Sequence, residues 1–233
     1  MQNYCKTIGA LAAASDLVAG NATAEVEYEL HTGYTNQYIF RGVEQGDHLL
    51  EMGLDAATTY NDLALSAGVW QADFDTNNGK VEEIDLYTEV ATNLGFATGA
   101  IGYIYYNQDT GFADDAQEVY FSLSRALDYG INAALTYYWD VETDNQGYTA
   151  LDLTKSIPLT SCLSCGLGTT VGYSVENSEF AHWTTTASLD WAFTETATLS
   201  PFVSVAIGGT PDSGYESDSQ NELVGGSMLS VSF

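Results

Sequence analysis

The chain has few basic residues, few prolines and no long apolar run. Lysine and arginine together number 5 among 233 residues, against 32 aspartates and glutamates, which gives a formal net charge of −27. Without a basic surface to displace counterions from phosphates, the chain is not expected to bind nucleic acid. No segment approaches the roughly 18 apolar residues of a spanning helix, so membrane insertion would have to use strands. Only 3 prolines, beside 22 glycines and 16 tyrosines, indicate many strands and turns rather than helices.

Residues 1–24 differ from the remainder of the chain. Lys6 carries a single positive charge, a short apolar stretch follows it, and Ala22-Thr23-Ala24 has the small-x-small pattern that signal peptidase accepts. A flexible N-terminal arm is the alternative interpretation. We predict a cleaved signal peptide over residues 1–24, and therefore export, followed by one domain over residues 25–233.

From residue 25 onward, apolar and polar residues alternate with the period of two expected of strands that have one face for lipid and one for water. In the first strand, Tyr28, Leu30, Tyr34 and Tyr38 share the lipid-facing parity. About twelve such strands follow one another, an even number, as single-chain bacterial barrels require when both ends lie on the same side. The predicted strands cover 25–41, 48–60, 63–75, 83–94, 96–108, 118–128, 131–142, 148–157, 167–176, 182–194, 199–208 and 222–233.

The links between these strands alternate in predicted length. If residue 25 starts on the periplasmic side, the outward links are on average longer and more acidic than the inward links, which are mostly tight turns. That asymmetry is typical of outer-membrane barrels, whereas a soluble sandwich has no reason to show it. We therefore predict an all-β fold, a single antiparallel up-and-down transmembrane β-barrel in the bacterial outer membrane. The predicted outward links are 42–47, 76–82, 109–117, 143–147, 177–180 and 210–220.

The chain ends inside its last predicted strand, on an aromatic residue. Leu229, Val231 and Phe233 alternate with less apolar residues, and Gly226 precedes them, as in the C-terminal signal of bacterial outer-membrane barrels. A soluble sheet that happens to end in phenylalanine is the alternative interpretation. We predict that the N- and C-terminal strands pair and close the sheet. The four residues are the predicted signal for the barrel-assembly machinery.

Aromatic residues on the apolar faces have a spacing that suits the two membrane interfaces. Trp183 and Trp191 lie eight residues apart. At about 3.3 Å per residue and a tilt near 40°, they are separated by roughly 20 Å along the barrel axis. A tryptophan pair in a soluble core is the alternative. The predicted girdle, in contact with the lipid bilayer and lipopolysaccharide, comprises Tyr28, Tyr137, Trp139, Trp183, Trp191 and Phe233.

The polar faces collect acidic residues toward the inside of the predicted barrel, and Arg41 is the only base clearly among them. If the first hairpin turns near residues 44–46, Arg41 lies across from Glu51 and Gln37 lies across from Asp55, which would place a charge-assisted contact inside the barrel. The predicted ion path is lined by Arg41, Glu51, Asp55, Asp85, Glu89, Asp140, Asp152 and Asp190.

Several short blocks between residues 37 and 87 carry a family resemblance. They are Tyr38-Ile39-Phe40-Arg41-Gly42 with Gln45 after it, Met52-Gly53-Leu54-Asp55, Ala67-Gly68-Val69-Trp70 and Glu83-Ile84-Asp85-Leu86-Tyr87. In these blocks the chain resembles the bacterial Gcw_chp family of small exported proteins. The resemblance implies a barrel-like envelope protein and carries over no catalytic residue.

A carboxylate-lined pore repels anions and concentrates cations, so the sequence predicts a narrow porin-like channel for small cationic or neutral solutes. A non-conducting structural or adhesion barrel with acidic external loops is the first alternative, since side chains can fill a barrel of this size. Weak Ca²⁺ binding by the acidic loops 109–117 and 210–220 is an alternative to plain solvation, but these loops lack the spacing of an EF-hand, and no cofactor or metal is expected.

An outer-membrane lipid hydrolase is the second alternative, because some barrels carry a serine and histidine pair on the outer wall. Here His31 and His182 have the parity of the barrel interior, His48 lies at the edge of a loop, and no serine is obviously placed beside any of them. The sequence therefore predicts a protein that is not an enzyme.

Cys162 and Cys165 lie in a predicted periplasmic turn. Two thiols supply only half of a structural zinc site. In an oxidising compartment, a disulfide that closes the turn is the simpler prediction.

Overall fold

The computed structural model describes residues 25–108, 115–142, 147–208 and 221–233. Twelve antiparallel strands in these ranges form one closed barrel in sequence order, with the last strand beside the first. This confirms the predicted fold and the pairing of the terminal strands. The strands are β1 Glu27–Phe40, β2 Val43–Tyr60, β3 Leu63–Thr76, β4 Gly79–Asn93, β5 Thr98–Gln108, β6 Ala116–Leu127, β7 Ile131–Asp140, β8 Gly147–Pro158, β9 Leu163–Ser174, β10 Glu179–Ala192, β11 Ala197–Gly208 and β12 Asn221–Ser232.

Strands β1 and β12 form the seam that closes the ring. The backbones of Tyr28 and Phe233 exchange two hydrogen bonds of 3.0 Å, and their rings stack with centroids 5.9 Å apart. Gly226 pairs with Thr35, and a Cβ at Gly226 would come within 2.5 Å of the carbonyl oxygen of Tyr34. Glycine is therefore required at this position by the close approach of β1, and the closed ring gives each described strand two neighbours.

The alternation of side chains sorts them onto two opposite faces. On the outer face, Leu30, Leu50 and Leu135 have about half of their surface exposed, as lipid contact requires. On the inner face, Asp55 and Glu89 are buried together with many small residues. The polar face is thus enclosed and the apolar face is open, the reverse of a soluble protein. Among the described residues, no helix has the length and hydropathy needed to cross a membrane.

Two outward links are shorter than predicted. Only Arg41 and Gly42 separate β1 from β2, where a link over 42–47 was expected. The next outward link also has two residues, because β3 continues to Thr76 and β4 begins at Gly79. The strands run on because continued pairing satisfies their backbone donors and acceptors. The predicted links 109–117, 143–147 and 210–220 lie partly or wholly outside the described residues.

The β1–β2 hairpin departs from regular pairing near its end. The register shifts between Tyr38 and Ile39 on β1 and between Asp47 and Leu50 on β2, and His48 has a φ of 54°. Irregularities of this kind bend a strand and increase its twist. We call residues 38–48 the inner tip, because Tyr38, Arg41 and Gly42 contact side chains inside the barrel, at the end opposite Glu25 and Phe233.

The position of Tyr38 shows the consequence of these shifts. The alternation predicted Tyr38 on the lipid face, and this was wrong: its ring lies inside, 5.0 Å from the ring of Phe74 and 5.9 Å from that of Trp70. Tyr38 is the last residue of β1 before the register shift, and strand irregularities of this kind re-aim side chains. Tyr38 and Trp70 pack there against a small apolar cluster of Leu49, Ala72, Phe74 and Val81.

Candidate functional site at the mouth of the barrel

Arg41 lies in the turn of the inner tip, with a φ of 51°. Its guanidinium donates two hydrogen bonds of 2.7 Å to the two carboxylate oxygens of Glu118 on β6. The side chains are only 22% and 10% exposed, so the pair is largely withdrawn from water. The tip therefore reaches from β1 across the ring and holds the far wall through a bidentate, charge-assisted contact.

This pairing differs from the predicted one. Arg41 does not lie across from Glu51, because the hairpin turns at Arg41 and Gly42 rather than at residues 44–46. Glu51 instead lies opposite Gly33 in the β1–β2 ladder. The left-handed backbone at the two turn residues, which sequence alternation does not reveal, decides where the guanidinium points.

Aromatic rings surround the Arg41 guanidinium. Its central carbon lies 4.4 Å from the ring centre of Tyr148, 4.6 Å from that of Tyr138 and 4.8 Å from that of the adjacent Phe40. These distances suit cation–π attraction. Burial lowers the pKa of Arg41, but the hydrogen bonds and charge of Glu118 raise that pKa by more, so the guanidinium stays charged.

The wall supplies this site from four consecutive strands. Tyr106 on β5 donates a hydrogen bond of 2.9 Å to Glu118, which also accepts both bonds from Arg41. Tyr138 is on β7 and Tyr148 is on β8. We call Tyr106, Glu118, Tyr138 and Tyr148 the wall cage, since together they enclose a single positive charge.

His182 on β10 lies beside the wall cage. Its Nε2 atom is 2.7 Å from the hydroxyl of Tyr148, its Nδ1 atom is 2.9 Å from the hydroxyl of Thr184, and its ring is parallel to that of Tyr148 within 4°. A Cβ at Gly42, whose φ is 82°, would come within 2.3 Å of the Cβ of His182. The inner tip therefore touches the wall at a second place, where only glycine fits.

The remaining predicted ion-path carboxylates also face inward, and several are held by wall side chains. The hydroxyl of Tyr87 donates a hydrogen bond of 2.5 Å to the carboxylate of Asp55, and Nδ1 of His31 lies 3.2 Å from the same carboxylate. Asp55 was expected opposite Gln37, but it pairs with Glu29 in the β1–β2 ladder. Their part in conduction stays a prediction. The other contacts are Trp70 to Glu51 at 2.6 Å, Tyr120 to Glu89 at 2.7 Å, Thr170 to Asp152 at 2.5 Å, Ser188 to Asp190 at 3.0 Å and the Glu142 amide to Asp140 at 2.8 Å.

Asp85 has one carboxylate oxygen, Oδ1, that is buried without a hydrogen-bond partner in the structure. It lies opposite Trp70 and Tyr106 in the ladders of β4.

The sequence did not single out the tyrosines of the wall cage. Tyr106, Tyr138 and Tyr148 occupy inward positions among polar residues, and the segment 96–108 is aromatic on both faces. Aromatic residues on the polar face of a barrel strand were therefore the available signal. Their convergence on one cation depends on contacts between strands that are distant in the chain.

The predicted girdle residues point outward. Trp183 and Trp191 are each about half exposed, Phe233 is 69% exposed, and Tyr28 and Trp139 are exposed as well. Tyr137 is partly covered, because its ring lies where a side chain at Gly147 would otherwise project. Contact with the headgroups of a bilayer stays a prediction for all six residues.

Cys162 and Cys165 are free thiols in the structure, so the predicted disulfide between them is not present in it. Cys162 is exposed in the β8–β9 turn, whereas Cys165 belongs to β9 and pairs with Ile157 and Leu189 in its two ladders. The strand begins earlier than predicted, and this holds Cys165 in the wall rather than in the turn. Thiol titration of the exported protein tests the disulfide.

Two of the three histidines lie inside the barrel, as their parity predicted, and the third lies on its exposed surface. His31 and His182 are buried on the inner face, where their polar partners are Asp55, and Tyr148 with Thr184, respectively. His48 bonds to the hydroxyl of Tyr34 at 2.8 Å on the exposed surface.

Comparisons with solved structures show what the barrel resembles. The translocator domain of the autotransporter NalP from Neisseria meningitidis aligns over 96% of this chain and 93% of its own, at 14% identity and a TM-score of 0.56. An outer-membrane channel from Pseudomonas putida F1 aligns over 92% and 97%, at 9% identity and a TM-score of 0.58. The NanC porin aligns over 88% and 98%, at 14% identity and a TM-score of 0.57. At these identities the likeness shows the fold alone.

Family comparison is more specific. No curated protein sequence matches the chain. A family model described as a bacterial protein of unknown function (Gcw_chp) matches residues 19–206, which include the inner tip and the wall cage. Its structure is a closed twelve-stranded barrel with the fold of the outer-membrane barrels it resembles. Because the family match covers well over half of the sequence, the chain belongs to the Gcw_chp family.

Proposed function

We propose that the protein is a narrow porin-like channel of the bacterial outer membrane, with an acidic interior that favours small cationic or neutral solutes. The charge asymmetry of the wall carries this proposal. Of the four basic residues in the described ranges, only Arg41 faces inward. Lys80 is 81% exposed beyond the β3–β4 turn, and Arg125 and Lys155 have the outer parity of their strands.

The charge of Arg41 is already matched by Glu118, so the other inward carboxylates leave a negative excess. Asp55 and Glu89 are buried, and Asp152 is half-buried on the same inner face. Fixed negative charges along a pore attract cations and exclude anions. A low-dielectric wall strengthens this effect relative to bulk water.

The comparisons support the coarser part of the proposal. The NanC porin and the Pseudomonas putida channel are named as a porin and a channel, and this chain shares their fold over nearly their full length. Outer-membrane insertion, contact with lipopolysaccharide and passage of small solutes follow for this chain as proposals. Recognition of its C-terminal strand by the barrel-assembly machinery is proposed in the same way. Export through residues 1–24, which lie outside the described residues, is tested by sequencing the N terminus of the exported protein.

Planar-bilayer recording of refolded protein under a salt gradient tests the channel. We expect a small conductance and a reversal potential whose sign indicates cation selectivity. The double variant Asp152→Asn with Glu89→Gln should have a reversal potential that indicates weaker cation selectivity, because two negative charges are removed from the inner face. Glu82→Gln is the matched control, since Glu82 is exposed on the outer parity of β4. Anion selectivity of the unmodified protein contradicts the proposal.

A non-conducting structural barrel is the second candidate, and the position of the inner tip favours it. Arg41 and Gly42 both contact the far wall, so the inner tip crosses the opening of the barrel at its end of the strands, which we call the mouth. Comparison with Arg41→Ala separates the two candidates. Current that appears or increases in this variant supports a channel restricted by the tip, whereas silence of both proteins supports the structural barrel.

A further inference from the structure

The wall cage has the composition of a binding site for an organic cation. Its carboxylate, Glu118, offers two oxygens to a planar donor, and the faces of Tyr138 and Tyr148 flank the same position. Tyr106 holds one oxygen of that carboxylate in place. A bidentate acceptor beside aromatic faces is an arrangement that recognises guanidinium groups.

The site and its present occupant belong to different parts of the fold. The wall cage is built into strands β5 to β8, whose ladders with their neighbours are regular. The occupant comes from the inner tip, where the pairing register shifts on both strands. If the tip withdraws, the wall keeps the carboxylate, its supporting hydroxyl and two aromatic faces.

We propose that the wall cage is a recognition site for solutes that carry a guanidinium group, and that these solutes compete with Arg41 for it. This inference rests on the proposed channel function, because it names the class of cationic solute that the mouth admits. A guanidinium matches both oxygens of Glu118 and stacks on the tyrosines. A compact ammonium lacks that planar fork and is expected to bind less well.

Competition with a tethered group has a defined consequence. Arg41 is attached to the barrel, so its effective concentration at the wall cage is high, on the order of millimolar for a short flexible tether. A free guanidinium solute therefore binds the unmodified protein more weakly than a variant without the Arg41 side-chain charge. Solute that does bind releases the tip from Glu118.

Calorimetric titration of the refolded full chain in detergent tests the site, with methylguanidinium as the probe. Arg41→Ala should bind one equivalent, and at least about tenfold more tightly than the unmodified protein does, which corresponds to 1.4 kcal/mol. Adding Glu118→Gln to that variant should remove the binding. Methylammonium is the matched control cation, and it should bind Arg41→Ala more weakly than methylguanidinium does.

Arg41→Gln provides a second route if Arg41→Ala does not refold, because it keeps a polar side chain without the charge. The proposal is overturned if neither folded variant binds methylguanidinium. It is also overturned if Glu118→Gln leaves the affinity unchanged.

The test is independent of conductance. Binding of methylguanidinium without any bilayer current supports the wall cage as a recognition site and contradicts the channel. Cation-selective current without binding keeps the channel and overturns the wall cage as a recognition site.

Discussion

At the scale of single residues, Arg41 and Glu118 form the ion pair at the centre of the site. Both side chains are largely withdrawn from water, and each compensates the charge of the other at 2.7 Å. Removing one partner leaves the other charge buried without its counter-ion. The sequence singled out Arg41 as the one inward base but assigned it to Glu51. The true partner lies 77 positions away, beyond the reach of a hairpin register.

Arg41→Ala is therefore expected to lower the free energy of unfolding by about 3 to 5 kcal/mol, the typical cost of breaking a buried ion pair. The double variant Arg41→Ala with Glu118→Gln should lose less than the sum of the single losses, because no isolated charge remains. Urea unfolding in detergent measures the free energy of unfolding of Arg41→Ala, of Glu118→Gln and of the double variant.

Lys80→Ala is the control for this experiment. Lys80 lies 4.0 Å from Asp75 in an exposed ion pair, so its loss should cost at most about 1 kcal/mol. Additive losses in the double variant would show that Arg41 and Glu118 do not stabilise one another.

At the scale of elements, the β1–β2 hairpin differs from the other short turn at the same end of the barrel. Both turns have two residues, but of these two hairpins only the inner tip has register shifts on both strands and contacts to the far wall. The family-like block Tyr38 to Gly42 with Gln45 coincides with this tip. The sequence pattern of this block therefore marks the irregular hairpin that contacts the far wall, although alternation alone placed Tyr38 on the wrong face.

Gly42→Ala should displace the inner tip, because the new Cβ would overlap His182. Trypsin cleaves after arginine, and in the unmodified protein Arg41 is held against Glu118. We expect cleavage after Arg41 in this variant and resistance at that bond in the unmodified barrel, read by mass spectrometry of the fragments.

Gly95→Ala is the matched control. Gly95 has a φ of 88°, close to the 82° of Gly42, but a Cβ there would meet nothing within 4 Å. The backbone strain is thus similar while the contact is missing. Equal protection of Arg41 in both variants would mean that the tip does not depend on its fit against His182.

At the scale of the whole molecule, closure of the ring depends on the pairing of β12 with β1. Phe233 contributes two backbone hydrogen bonds and a ring stack to Tyr28 at the seam between β12 and β1. A barrel left open at this seam would expose unpaired backbone groups to lipid, which is costly.

Deletion of Phe233 should reduce the fraction of chains that fold into the heat-modifiable barrel on a gel, because the final pair of hydrogen bonds is lost. Phe193→Ala should leave that fraction unchanged, since Phe193 is an exposed aromatic residue in the β10–β11 turn whose ring packs against Trp191 rather than against β1. The assembly signal of Gly226, Leu229, Val231 and Phe233 loses its support if both changes act equally.

The sequence by itself determined the barrel. Alternation with period two is a local property, and a lipid face and a polar face impose it strand by strand, so all twelve strands were predicted to within a few residues of most of their ends. The same property placed Asp55, Glu89 and Asp152 on the inner face. Loop lengths were less accurate, because a strand can run past the membrane and Thr76 is paired where a link was expected.

Only the tertiary structure decided how the mouth is organised. The backbone turn at Arg41 and Gly42, and the shifts that bend the hairpin inward, leave no mark in a period-two pattern. The wall cage joins residues from strands that meet the tip only after the ring has closed. Which carboxylate receives the Arg41 guanidinium is therefore a property of the closed ring, because it depends on distances across the barrel rather than along the chain.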